Sequence, residues 1–154
     1  MDDIDRKILQ LLQANAERPL AALGRSVGLS VSAVNERVKK LKGSGALAGI
    51  EGRIDPHALG LDILAFVLVL MDKPAAEGEF IKRMRDMPEV QECHHVTGDY
   101  SYLLKLRARS TAHLEQLISR RIKTIAGVAR TLTLIALSTA KETAALDCRT
   151  AADA

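Results

Sequence analysis

Nine consecutive residues, Ile63 to Met71, carry no polar side chain. As a helix the run is too short to cross a bilayer, which takes about 20 residues, and its length and β-branched content suit a buried strand. Successive strand side chains point to opposite faces. Ile63, Ala65, Val67, Val69 and Met71 therefore line one side, and Leu64, Phe66, Leu68 and Leu70 the other. Both sides need cover. A sheet with helices on one face only leaves its second face apolar, and that face requires either the same sheet of a second subunit or a helix from the N-terminal segment folded over it.

The residues that follow fit this picture. Glu79 to Met87 has helical spacing, with Phe80, Ile81 and Met84 on one side. Val90 to Val96 and Tyr100 to Arg107 read as strands flanking Gly98-Asp99, a short hairpin signal. Thr111 to Ile122 is helical with Leu114, Leu117 and Ile118 aligned, and Val128 to Leu137 is a last strand. The order β-α-β-β-α-β is that of the ferredoxin-like split motif.

Before residue 55 the rhythm is purely helical. Ile4, Ile8, Leu11 and Leu12 make one apolar stripe, with Asp2 and Asp3 at its start, where carboxylates favour the positive end of a helix. Pro19 opens a second helix carrying Leu20, Leu23 and Val27 inward. Gly28-Leu29-Ser30 breaks it, and a third helix from about Ser32 buries Val34, Val38 and Leu41 until Gly43 and Gly45 stop it. Leu47 to Ile54 reads as a short extended segment. The expected organisation is thus α+β: a winged helix-turn-helix over 1–54, a Pro/Gly-punctuated linker over 55–61, an αβ sandwich over 62–140 and a tail over 141–154.

A helix-turn-helix needs a turn residue at ease with positive φ, which Gly28 supplies. It also needs a point of close helix approach, which Gly24 supplies, and apolar anchors on both sides of the turn. Opposite Val34, Val38 and Leu41, the third helix presents Ser32, Glu36, Lys39 and Lys40, with Asn35, Arg37 and Lys42 on its flanks. Four basic residues against one acidic between Ser32 and Gly43 give a local excess of +3. Small polar residues come first, where base edges are read, and cations later, where phosphates are met. Ser30, Ser32, Asn35, Glu36, Arg37, Lys39 and Lys40 are the candidate contacts to double-stranded DNA; Asn35 either reads adenine or is simply polar.

Other chemistry finds no support. With two Tyr, two Phe and no Trp, the chain lacks the stacking platform of single-strand binders. Cys93 and Cys148 have no zinc spacing and read as reduced thiols of a cytoplasmic protein. Cys93-His94-His95 alternates across a strand, so the three cannot close on one metal. No acids form a catalytic pair, no Gly loop cradles phosphate, and the acidic start is unlike a secretory signal. Neither enzyme activity nor a cofactor is expected, and no membrane segment.

Several linked motifs, in order, resemble the Lrp/AsnC family of feast/famine regulators along nearly the whole chain. They are Asp2-Asp3-Ile4-Asp5-Arg6-Lys7-Ile8-Leu9, Val27-Gly28-Leu29-Ser30, Glu36-Arg37-Val38-Lys39-Lys40-Leu41, Val90-Gln91-Glu92-Cys93-His94 running through Val96-Thr97 to Gly98-Asp99, Tyr102-Leu103-Leu104-Lys105, and Gly127-Val128 with Thr131 and Thr133. The resemblance implies a regulator that forms homodimers and further tetramers or octamers, and binds an amino-acid effector between dimers near Gly98-Asp99. Carried over by position, Gly98, Asp99, Tyr100 and Ser101 are the effector candidates, with Thr133 and Ser138 beside them. Ser101 stands where many members carry a second acid. Residue by residue, Asp99 is either an effector ligand or a turn residue. A stand-alone amino-acid sensor or enzyme on the same sheet, and an architectural protein with little DNA preference, are the competing functions. The basic third helix argues against the sensor.

Overall fold

The first helix begins with a reciprocal cap. In the computed structural model, which describes residues 1–149, Asp2 Oδ1 accepts from the Asp5 N–H at 2.8 Å and Asp5 Oδ2 accepts from the Asp2 N–H at 3.2 Å. That capping box starts α1 (Asp3–Ala14). The Pro19 carbonyl accepts the Ala22 and Leu23 N–H groups of α2 (Leu20–Val27), which is followed by Gly28 at φ 69°. Ser30 Oγ then accepts from the Ala33 N–H and caps α3 (Val31–Gly43). Ile8, Leu12, Leu23, Val34 and Leu41 form the core of this bundle, with Val38 half-buried against it. At Gly24 the close approach is to the turn rather than to another helix: a Cβ would lie 2.6 Å from the Leu29 carbonyl oxygen, between α2 and α3.

Two expectations shift here. The segment Leu47–Ile54 joins no sheet among the described residues; Gly49 and Gly52 interrupt it, and Ile50 and Ile54 stand exposed. The wing is a loop without a ladder, because an extended strand keeps its form only when something pairs with it. The tail also behaves unexpectedly. Gln13 of α1 accepts the Leu146 N–H at 2.7 Å and donates to the Leu146 carbonyl at 3.0 Å, so the described part of the tail, from Lys141 to Arg149, belongs to the helical unit with Met1–Arg53. The last residues, 150–154, whose small side chains suggest a frayed end, lie outside the described residues.

The second unit, Ile54–Ala140, is built on a four-stranded antiparallel sheet. Its elements are β1 (Ile63–Met71), α4 (Glu77–Arg85), β2 (Val90–His95), β3 (Tyr102–Ala108), α5 (Thr111–Gln116) and β4 (Val128–Ile135), with the strands ordered β2-β3-β1-β4. Ala65, Val67, Val69 and Met71 face a core completed by Phe80 and Met84 of α4 and by Leu114, Leu117, Ile118 and Ile122 after β3. Past Gln116 the last of these helices widens into a π turn, Leu117–Ile122, in which the Lys123 N–H donates to the Ile118 carbonyl five residues back. The wider turn lets Leu117, Ile118 and Ile122 all reach the core.

The opposite face carries the other half of the nine-residue run. Phe66 pairs with Leu134 and Leu68 lies between Leu132 and Leu103, a contiguous apolar patch. Phe66, Leu68 and Leu103 are half-buried, while Leu132 and Leu134 remain 43% and 52% exposed. Both last strands are shorter than expected: β3 starts at Tyr102 and β4 stops at Ile135, although the Ala136 N–H still bonds the Leu64 carbonyl. Among the described residues no helix is long and apolar enough to cross a membrane.

Candidate DNA-contacting face and effector loop

Burial of Val34 and Leu41 fixes which edge of α3 looks outward. Ser32, Glu36, Lys39 and Lys40 are exposed, and Asn35 is half-buried. Lys39 Nζ meets Glu36 Oε1 at 3.0 Å, an i,i+3 pair whose side chains remain 65% and 71% exposed. Such a pair contributes a few tenths of a kcal/mol at most, so Lys39 is free to turn to a phosphate. Ser30 is otherwise engaged: its hydroxyl caps the helix and lies 3.0 Å from the Ser32 hydroxyl.

Arg37, one of the expected DNA contacts, is engaged within the chain. Its Nη1 lies 2.7 Å from Asp2 Oδ2 and 2.7 Å from Asp5 Oδ1, so the guanidinium leans back onto the cap of α1. Hydrogen bonds to Asp5 and then Asp2 push its already high pKa higher. The Asp2 carboxyl is held below the usual carboxylate range, first by the Asp5 N–H and then by the guanidinium. Asp2 and Asp5 are partners of the recognition helix that the helical stripes do not single out. The signal lies in the spacing: Arg37 stands three residues after Val34 and four before Leu41, on the flank of the buried stripe.

The effector candidates divide by position. The β2–β3 connection takes in Tyr100, expected to open the strand; the Val96 N–H donates to the Ser101 carbonyl at 2.9 Å, leaving Thr97 to Tyr100 as the loop, with Gly98 at φ 110°. Gly98 and Asp99 are exposed. The Tyr100 ring lies 5.0 Å beneath the Arg130 guanidinium, a cation–π contact that brings to the loop a cation from β4 outside the expected set. Ser101 anchors the loop: its N–H donates to the Val69 carbonyl, and its hydroxyl accepts from the Met71 N–H at 3.1 Å, where the β1–β4 register slips. That oxygen gives a bulged amide the partner it would otherwise lack.

Thr133 and Ser138 are not brought to this loop. Thr133 pairs with Val67 on the helix-covered face, whereas Arg130 pairs with Leu70 on the other. Ser138 follows Ala136, which is bonded to Leu64 at the far end of β1 from the loop anchor at Val69. Five residues of strand, about 17 Å, separate those two points. In β2, Cys93 pairs with Leu104 and His95 with Tyr102, while His94 pairs with Leu103 on the open face, so the register divides the three as alternation requires.

Comparison with known proteins adds to this geometry. Residues 1–42 match the AsnC-type helix-turn-helix domain and residues 64–146 the Lrp/AsnC ligand binding domain. A helix-turn-helix transcriptional regulator of Pyrococcus horikoshii, FL11, is 37% identical over 95% of each chain. A transcriptional regulator of Neisseria meningitidis solved with L-methionine superposes with a TM-score of 0.90 at 28% identity, over 95% of this chain and 96% of its own. A feast or famine regulatory protein of Mycobacterium tuberculosis complexed with L-methionine gives 0.87 at 37% identity, over 94% and 97%.

Proposed function

Because this chain belongs to the Lrp/AsnC family of helix-turn-helix transcriptional regulators, we propose that it grips duplex DNA through the outer edge of α3, pairs through the open face of its sheet, and answers to an amino acid at the Gly98–Tyr100 loop. It is a DNA-binding regulator rather than an enzyme, and it works in the cytoplasm, where its DNA is. The observation that carries the DNA contact is the polar, exposed edge of α3 opposite Val34 and Leu41. Ser32 and Asn35 sit where base edges come within reach, Glu36 suits a cytosine amino group, and Lys39 and Lys40 meet phosphates. Arg37 is committed to the α1 cap and Ser30 to capping.

Pairing follows from the patch formed by Phe66, Leu68, Leu132 and Leu134. A two-fold axis through it would bury the same surface on both subunits and set two recognition helices on half-sites about 34 Å apart. The double variant Lys39→Ala, Lys40→Ala tests the DNA contact. Each phosphate contact adds about 0.9 to the slope of log K against log salt, so the variant is expected to bind DNA more weakly with a shallower slope while its assembly state is unchanged. An unaltered slope and affinity would remove α3 from the interface.

At the loop, Asp99 is placed to accept from an ammonium group, while loop amides and Arg130 can hold a carboxylate. Ser138 reaches such a site only from a neighbouring subunit, in keeping with tetramers or octamers. L-Methionine, the ligand of two similar solved structures, is the first amino acid to titrate in a thermal-shift series. The expected result is a concentration-dependent rise in melting temperature that Asp99→Ala abolishes. If neither methionine nor any other amino acid moves the melting temperature or the assembly state, the loop is a turn and nothing more.

A further inference from the structure

Apolar contacts hold the three helices of the N-terminal unit together, but they are non-directional and define the angle of α3 less sharply than a hydrogen bond does. Among the described residues, the directional link from α1 to the exposed half of α3 is the Arg37 guanidinium, held at 2.7 Å by both Asp2 and Asp5. Its acceptors are themselves locked, since the two carboxylates cap each other's backbone. The link is also partly sheltered: the Asp5 side chain is 12% exposed and Arg37 31%, against 65% for Lys39. Beside it lies a hollow of about 580 Å³ lined by Met1, Asp2, Asp5, Glu36, Arg37 and Lys40. There the Asp2 and Asp5 carboxylates surround the Arg37 guanidinium and offset its charge, so Arg37 is poorly placed to hold a phosphate.

We propose that Arg37 is a positioning residue for DNA binding: it touches no phosphate, and by bridging Asp2 and Asp5 it sets the angle at which α3 offers Ser32, Asn35 and Lys39 to the groove. The proposal rests on the reading of α3 as the recognition helix. It reverses the simple electrostatic expectation for a carboxylate. Removing the negative charge of Asp5 should strengthen attraction to DNA if charge alone mattered; if Asp5 holds the strut, removing it weakens binding.

The test uses the full chain and the duplex that the wild-type protein selects from a randomised library, with affinity measured across a salt series. Arg37→Ala, Arg37→Lys and Asp5→Asn are each expected to lose about tenfold in affinity, with the salt slope of the wild type. Lysine fails because it keeps the charge without the planar fork that spans two carboxylates. The double variant Arg37→Ala, Asp5→Asn should lose no more than either single one, because both remove the same link. Measurements are repeated well below each variant's melting temperature, with amide exchange across α3 reporting its folding. A loss that vanishes once the variant is fully folded overturns the proposal.

So does a slope lowered by about 0.9 per chain in Arg37→Ala, full activity of Arg37→Lys, or tighter binding by Asp5→Asn. These outcomes leave the recognition helix standing. If the wild-type chain selects no duplex, or Lys39→Ala, Lys40→Ala keeps the wild-type slope and affinity, the reading of α3 falls and this inference falls with it.

Discussion

Glutamate at both Leu132 and Leu134 is expected to turn the protein into a monomer and to cut its DNA affinity by about 100-fold or more. Both side chains are about half exposed on β4 within one chain and lie outside its buried core, so the substitutions leave that core intact. In a two-fold pairing each position occurs twice, and four carboxylates would have to be buried against Phe66 and Leu68. Burying one leucine contributes about 1.5–3 kcal/mol, and burying an unpaired carboxylate costs more than that gain. Losing the partner also loses the second half-site, and with it an avidity of about 10²–10⁴. Sedimentation velocity and fluorescence anisotropy read the two effects separately. Leu137→Glu is the control: that residue has left the sheet and is 99% exposed, so it should change neither. A double variant that still sediments as a dimer would move the interface elsewhere.

The second large effect is expected from a single methyl group. Gly24→Ala puts a Cβ 2.6 Å from the Leu29 carbonyl oxygen, which is backbone and cannot swing aside. Either α2 moves away from the turn or the turn distorts, at a cost of about 1–3 kcal/mol. A bundle of this size holds only about 3–5 kcal/mol in its core, so the helical unit should melt many degrees lower and release DNA at temperatures the wild type tolerates. Gly28→Ala sets the scale. Gly28 has φ 69°, and nothing lies within 4 Å of where a Cβ would stand, so alanine there meets only the left-handed backbone penalty of about 1–2 kcal/mol. Circular dichroism melts of the two variants should rank Gly24→Ala as the more damaging, with the sheet unit's assembly unaffected. Equal melts for Gly24→Ala and wild type would show that α2 and the turn separate without cost.

Much of this architecture is legible in the order of residues. The unbroken apolar run Ile63–Met71 assigns the strand and makes both of its faces apolar, because side-chain direction in a strand depends only on position. The helical stripes place Ile8, Leu23, Val34 and Leu41 in one core for the same kind of reason. Gly24 and Gly28 stand out because each geometry there admits little else. What the pattern misses is everything that depends on a partner distant along the chain. Leu47–Ile54 has an extended look, yet a strand is defined by the neighbour it bonds. The hairpin reads as a short turn at Gly98-Asp99 with a strand resuming at Tyr100, yet Ser101 is drawn to β1 and Tyr100 to Arg130.

Local pattern alone therefore settled the kinds of elements, their order and their buried faces, since those follow from periods of 3.6 and 2 residues acting on neighbouring side chains. Tertiary structure alone decided how the charged groups are spent. A guanidinium at position 37 reads the same on paper whether it meets phosphate or carboxylate. Only folding brings Asp2 and Asp5 within 2.7 Å of it, and Coulomb attraction and hydrogen bonding act through space with no regard for sequence separation.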